Sequence, residues 1–207
     1  MSPIPDFYPT AINDESFVRG PGRVLYANLS MPAPTQIANV INLSTYAAMS
    51  GWTDVGATKG GVQITFNNSE ETFDVDQILS EIASLPTSSE MAVQTQLAQS
   101  TLDWLSFAWE GDTVTTNASA NGGPEKNTGF GPFESYTQRR LAVAFRRPTS
   151  GKLRLHFFHK AQRAPQESAV TYNKTGEQQS VPMRWRILPD TSLATIKQRF
   201  SLTFDQI

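Results

Sequence analysis

Apolar residues recur at every second position along most of this chain, a period that predicts strands and leaves little room for helices. Val62, Ile64 and Phe66 alternate with Gln63 and Thr65. After the turn-like run Asn67-Asn-Ser-Glu-Glu71, Phe73 and Val75 alternate with Asp74 and Asp76. Together they predict a hairpin over 62–78 with an apolar face, an acidic face and Glu70 and Glu71 at its turn. Met91, Val93, Thr95 and Leu97 carry the same alternation. Further on, Leu141, Val143 and Phe145 alternate with Arg140, Ala142, Ala144 and Arg146. Pro148-Thr-Ser-Gly151 reverses the chain, and Leu153, Leu155 and Phe157 then oppose Lys152, Arg154 and His156. Val181 to Ile187 and Phe200 to Phe204 supply two more strands. The predicted fold class is mostly β, at sandwich or barrel spacing.

One segment breaks the period. Leu102, Leu105, Ala108 and Trp109 recur at helical spacing behind Ser100-Thr-Leu-Asp103, which has capping-box character. This predicts a helix over about 101–110. Trp104 and Phe107 make it apolar nearly all round, so it should be held between the sheet and a second surface, such as a neighbouring subunit. Two stretches lack periodicity. Residues 1–22, with Pro3, Pro5, Pro9 and Pro21, read as an extended arm, and 112–135 reads as one long loop of Gly, Asn, Thr and Pro. The remaining residues, 23–207, fit one domain, since a chain of 207 residues can bury a sizeable core without staples.

Composition removes several kinds of chemistry. The chain has no Cys, which excludes disulfides, thiolate catalysis and Cys-ligated metals. No apolar run approaches the length of a membrane span. His156 and His159 are three apart on a predicted strand and point to opposite faces, so they cannot share a metal. Asp74 and Asp76 share a strand face and could do acid–base work or hold a divalent ion. A solvated acidic face is the plainer account, because no further catalytic partner lies near. Gly56-Ala-Thr-Lys-Gly-Gly61 lacks the G-x-x-x-x-G-K-[ST] of a phosphate loop, and no nucleophile-elbow or zinc-protease motif occurs. The chain is expected to be no enzyme and to need no cofactor.

Charge is unevenly placed. Residues 1–112 hold three Lys/Arg against 13 Asp/Glu, whereas 113–207 hold 14 against 6. Arg140, Arg146, Lys152, Arg154, His156, Phe158 and Lys160 are predicted to fall on the polar face of one hairpin. Such a basic, aromatic strand surface suits single-stranded nucleic acid, although a sequence pI of about 5.7 does not. Self-association, with a basic face meeting an acidic one on the next subunit, accounts for both halves together.

Four stretches, in order, resemble a known family. They are Arg19-Gly-Pro-Gly-Arg-Val-Leu-Tyr-Ala27; Gly51-Trp-Thr-Asp-Val-Gly-Ala-Thr-Lys-Gly-Gly-Val-Gln-Ile-Thr65; the strand–helix pair Met91–Leu97 and Thr101–Trp109; and Tyr172-Asn-Lys-Thr-Gly-Glu-Gln-Gln-Ser-Val-Pro-Met183 through Leu188-Pro-Asp190. The second is similar to the "GW-x-D-x-G-x-T…GV-x-I" segment of the major tail tube protein of long-tailed (siphovirus-like) bacteriophages. The resemblance brackets residues 19–190; the arm before it, the loop 112–135 and the tail after Asp190 match nothing in that pattern.

This resemblance implies a β-sandwich of the phage tail-tube type with one flanking helix and long loops. It implies a structural virion protein forming homohexameric rings with closed inner sheets, stacked head to tail into a tube. The tube would hold the tape-measure protein and later pass double-stranded DNA during genome ejection. Tail terminator and tail-tip proteins would be further partners, with no membrane involved. The protein would reside in the virion tail, and in the host cytoplasm during assembly. On this reading Asp74, Asp76, Glu70 and Glu71 are expected to line the channel, and Trp104, Phe107, Arg140, Arg146, Lys152 and Arg154 to lie between subunits. A nucleic-acid-binding β-barrel, or a related ring-forming tail protein such as a tail terminator, is the alternative.

Overall fold

The computed structural model describes residues 22–75, 78–98, 101–118, 124–132, 135–147, 150–164 and 180–206. Strands β1 (Arg23–Asn28), β2 (Trp52–Asp54), β3 (Thr58–Val75) and β4 (Ile78–Leu97) precede a single helix, α1 (Leu102–Trp109). Strands β5 (Thr115–Asn117), β6 (Glu125–Asn127), β7 (Gln138–Arg146), β8 (Leu153–Arg163), β9 (Val181–Leu188) and β10 (Ser201–Asp205) follow. The fold is mostly β with one helix, as the alternation predicts. The main sheet is antiparallel and runs β2-β1-β7-β8-β9-β4-β3. On its edge away from β7, strand β8 serves two partners in turn, pairing with β10 over residues 154–158 and with β9 over 160–163.

The central strands are buried on both faces. Val24, Leu141, Val143 and Phe158 face a first core completed by Val93 and Leu97 of β4, by Val181, Met183, Trp185 and Ile187 of β9, and by Ala108 of α1. Leu25, Ala142, Ala144, Leu155 and Phe157 face a second core, closed by Ile37, Val40 and Ile41 from the connection between β1 and β2 and by Trp52 of β2. Each large side chain fully buried in this way contributes about 1.5–3 kcal/mol. Ala142 and Ala144 occupy what alternation reads as the outer face of β7; their small side chains let the connection pack against the sheet.

The β3–β4 hairpin is longer than predicted. Asn67-Asn-Ser-Glu-Glu71 is no turn: β3 passes straight through it, with Asn67 opposite Glu90 and Ser69 opposite Ser88, and a register shift follows before Glu70. Turn-forming side chains are accommodated because they bond across the ladder. Ser89 Oγ donates to Asn68 Oδ1 at 2.7 Å and Thr87 Oγ1 donates to the Ser69 carbonyl at 3.1 Å. Strand β9 covers β4 only over 91–97. Beyond that, among the described residues, β3 and β4 pair with each other alone, as a two-stranded ribbon about 30 Å long at ~3.3 Å per residue.

Helix α1 starts one residue later than the box predicts. Thr101 is the N-cap and makes no side-chain cap bond, while Asp103 pairs with Lys126 Nζ at 2.7 Å. Glu110 ends the helix in the left-handed region (φ 49°). At Gly111 a Cβ would meet the Phe130 ring at 2.6 Å, so only glycine lets the 128–131 segment close over the helix end. The stretch 112–135 is not wholly irregular either, since β5 and β6 pair within it. All six of their residues are exposed, so there is no apolar face for a sequence pattern to reveal.

Candidate functional site

The surfaces that could meet another molecule are a ribbon, a helix flank and scattered cations. On the ribbon, Glu70 and Glu71 are exposed and consecutive, so acid projects on both of its faces. Asp74 lies in β3 near the far end, and Asp76 lies outside the described residues. Leu85 is 58% exposed, and Phe66, at the base of the ribbon, is 52% exposed against Phe200. Exposed apolar groups on an unpaired strand edge invite a partner.

The single basic face predicted for the β7–β8 hairpin does not form, and the reason is register. Arg146 pairs with Leu153, and Phe145 pairs with Arg154. Directly opposed residues share a face, so Arg146 stands with the second core and Arg154 with the first. Phe158, expected among the cations, is buried in the first core. Arg140 is half-buried; its Nε donates to the Leu29 carbonyl at 3.2 Å and its guanidinium lies 5.7 Å from the Phe157 ring centre. Burial lowers its pKa, with Asp190 opposing. Arg154 and Arg147 each donate to Asp205 Oδ2 at 2.6 Å. The Arg154 hydrogen bond is the main reason the Asp205 carboxyl is held below its usual range. Lys160 pairs with Asp190 at 3.2 Å. The Asp190 pKa is lowered to about 2, chiefly because its carboxylate accepts from the Ser192 hydroxyl. Lys152 is half-buried in the turn before β8.

On the helix flank, Phe107 stacks on Tyr26 with ring centres 4.4 Å apart, and the Arg139 guanidinium sits 5.0 Å from the Phe107 ring centre. Phe107 is thus engaged within its own chain. Trp104 meets only the edge of Phe107, at 5.9 Å, among the aromatic contacts of the described residues, and stays partly exposed. Arg139 also reaches Glu110 at 3.5 Å.

The two histidines lie on opposite faces, as their spacing predicts. His156 Nδ1 is 3.0 Å from Thr203 Oγ1 and its ring packs edge-on against Phe145. His159 packs against Phe157 and is 2% exposed. Burial lowers the pKa of both. Among the described residues no group of three or more His, Asp or Glu could hold a metal ion. No helix among them is long and apolar enough to cross a membrane.

Sequence reading missed the full extent of the ribbon and the ion pair of Arg23 with Asp54 that ties β1 to β2. The Gly51–Thr65 stretch contains Asp54, yet nothing in its spacing names Arg23 as the partner. It missed Asp205 too, whose two arginines come from the paired strand β8 (Arg154) and from the turn after β7 (Arg147).

Comparison with known proteins adds one decisive match. The family model for phage tail tube proteins matches residues 10–196, from ahead of β1 to the segment leading into β10. No curated protein matches the chain significantly. With most of its length matched and an antiparallel β fold carrying one flanking helix, the chain belongs to the phage tail tube protein family and is a structural component of the phage tail.

Proposed function

We propose that this subunit forms hexameric rings that stack head to tail into a tube, which holds the tape-measure protein and then conducts double-stranded DNA. One observation carries the reading: the 67–90 ribbon pairs only with itself among the described residues. A lone two-stranded hairpin is marginally stable in water, so its partner is another subunit. The sheet also ends in two open strands, β2 and β3, and pairing between neighbours removes such edges. A heterologous contact that does not close on itself generates a filament.

The acidic ribbon, with Glu70, Glu71, Asp74 and Asp76, lines the channel in this reading, since carboxylates repel phosphate and each added cation would add a counterion-release gain for bound DNA. Trp104 on the helix flank, Arg146, and Lys152 in the turn before β8 contribute to contacts between subunits; Phe107, Arg140 and Arg154 act there by holding their own chain in shape.

Negative-stain microscopy at high protein concentration tests the assembly: rings or tubes with six-fold symmetry are expected, and monomers alone under all conditions overturn it. The double change Asp74→Lys and Asp76→Lys tests the lining. Tubes that assemble but pass DNA poorly support it, whereas a folded subunit that no longer polymerises places these carboxylates between rings.

A further inference from the structure

At the end of the sheet where β1 enters lies a cleft of about 530 Å³. Ile41, Tyr46, Ala57, Ala144 and Leu153 give it a largely apolar lining, and Gly22, where the described chain begins, forms part of its wall. Two arginines bound it and are differently employed. Arg23 is consumed within the fold, pairing with Asp54 and donating to the Tyr46 carbonyl. Arg146 is not. Its side chain is exposed, its guanidinium rests 5.0 Å from the Tyr46 ring centre, and no carboxylate of the described residues lies within ion-pair distance. An apolar trough with an unneutralised guanidinium at its rim suits a short extended segment in which aromatic rings adjoin a carboxylate.

The chain carries such a segment. Twenty-one residues precede Gly22, and Asp6-Phe7-Tyr8 lies among them. From Tyr8 to Gly22 an extended chain spans up to ~45–50 Å, enough to leave its own subunit. Pro9 and Pro21 favour extended backbone at both ends of that span. To enter its own cleft the segment would have to turn back on the very wall from which it departs. We propose that Asp6-Phe7-Tyr8 of each subunit seats in this cleft of a neighbouring copy, the rings in the trough and the Asp6 carboxylate on Arg146. The inference rests on the self-assembly reading above and names one of its contacts.

The absence of Cys makes the test clean. The full-length double variant Pro5→Cys with Ala57→Cys keeps both rings and the Asp6 carboxylate; it is assembled, treated with a short bismaleimide and run on a denaturing gel. Ala57 is exposed and lines the cleft, so the change should leave folding intact. Expected is a ladder of covalent multimers, where either single variant gives dimers at most. Adding Arg146→Glu should cut the ladder about tenfold or more, and further adding Asp6→Arg should restore it. Chains bridged only internally overturn the proposal, because the segment then fills its own cleft. Intact tubes without cross-links overturn it while leaving self-assembly standing. Failure of the unmodified chain to assemble at all overturns both.

Discussion

Strands β7 and β8 and the 67–90 ribbon are built from similar backbone ladders, yet one is satisfied by its own chain and the other is not. Phe157 and Phe158 each reach a different core, one on either side of the sheet, and both are at most 1% exposed. On the ribbon the strands are paired almost throughout, with register shifts at Ser69/Glu70 and Phe73/Val75, but Glu70, Glu71 and Leu85 face solvent. Hydrogen-bond ladders alone do not secure a strand; what lies against its two faces does. In the assembly proposed above, the body of this subunit is fixed beforehand and the ribbon is left for assembly to fix.

The strongest way to break this contrast is to empty one core. Phe157→Ala should destabilise the isolated subunit by about 3–5 kcal/mol, read by denaturant unfolding, whereas Leu85→Ala should change it by less than about 0.5 kcal/mol while weakening polymerisation. Equal losses from the two would mean the ribbon packs against its own body. Hydrogen exchange sharpens the same point. Ribbon amides should exchange fast in the free subunit and gain protection in the tube, and β7 and β8 should be slow in both.

A smaller effect concerns acid. With the Asp190 pKa lowered to about 2 from an ordinary 3.8, its carboxylate stabilises the fold at pH above about 4. That contribution is lost as pH falls from there through 2. Asp190→Asn should flatten the stability profile over this window, read by denaturant unfolding at a series of pH values. The smallest effect is expected at the ribbon base, where Arg186 and Glu90 are 3.6 Å apart and both well exposed. Arg186→Ala should alter stability by no more than ~0.5 kcal/mol, and less at high salt.

Much of the fold was legible in the alternation. Strands β7, β9 and β10 lie where Leu141 to Phe145, Val181 to Ile187 and Phe200 to Phe204 predict them, while Met91 to Leu97 and Leu153 to Phe157 mark only the last part of β4 and the first part of β8. What was not legible is the relation between strands. Period 2 says that Arg146 and Arg154 each lie opposite apolar neighbours on their own strands. Only the pairing of Arg146 with Leu153 says that the two stand on different faces. The ribbon was obscured for another reason: Val75 pairs with Ile78, and the Asp76-Gln77 between them is no favoured two-residue turn, whereas Asn67-Asn-Ser looks like one. The β1–β2 connection, which covers Ala142 and Ala144, was not legible because Ile37, Val40 and Ile41, although spaced at i, i+3 and i+4, make only one short turn over Ile37–Asn39.

The pairing of β1 with β7 has a consequence in time. Arg23 meets Ala144 and Asn28 meets Arg139, partners more than 100 residues apart along the chain. During synthesis β1 leaves the ribosome early and has only the three residues of β2 to hold until β7 emerges. Contacts across so long a separation form late, because the intervening chain must be closed first. A nascent chain thus finishes making its long ribbon before it can complete the body that presents it. Subunit maturation waits on the synthesis of β7, and a neighbour recruited earlier would find no finished surface to join.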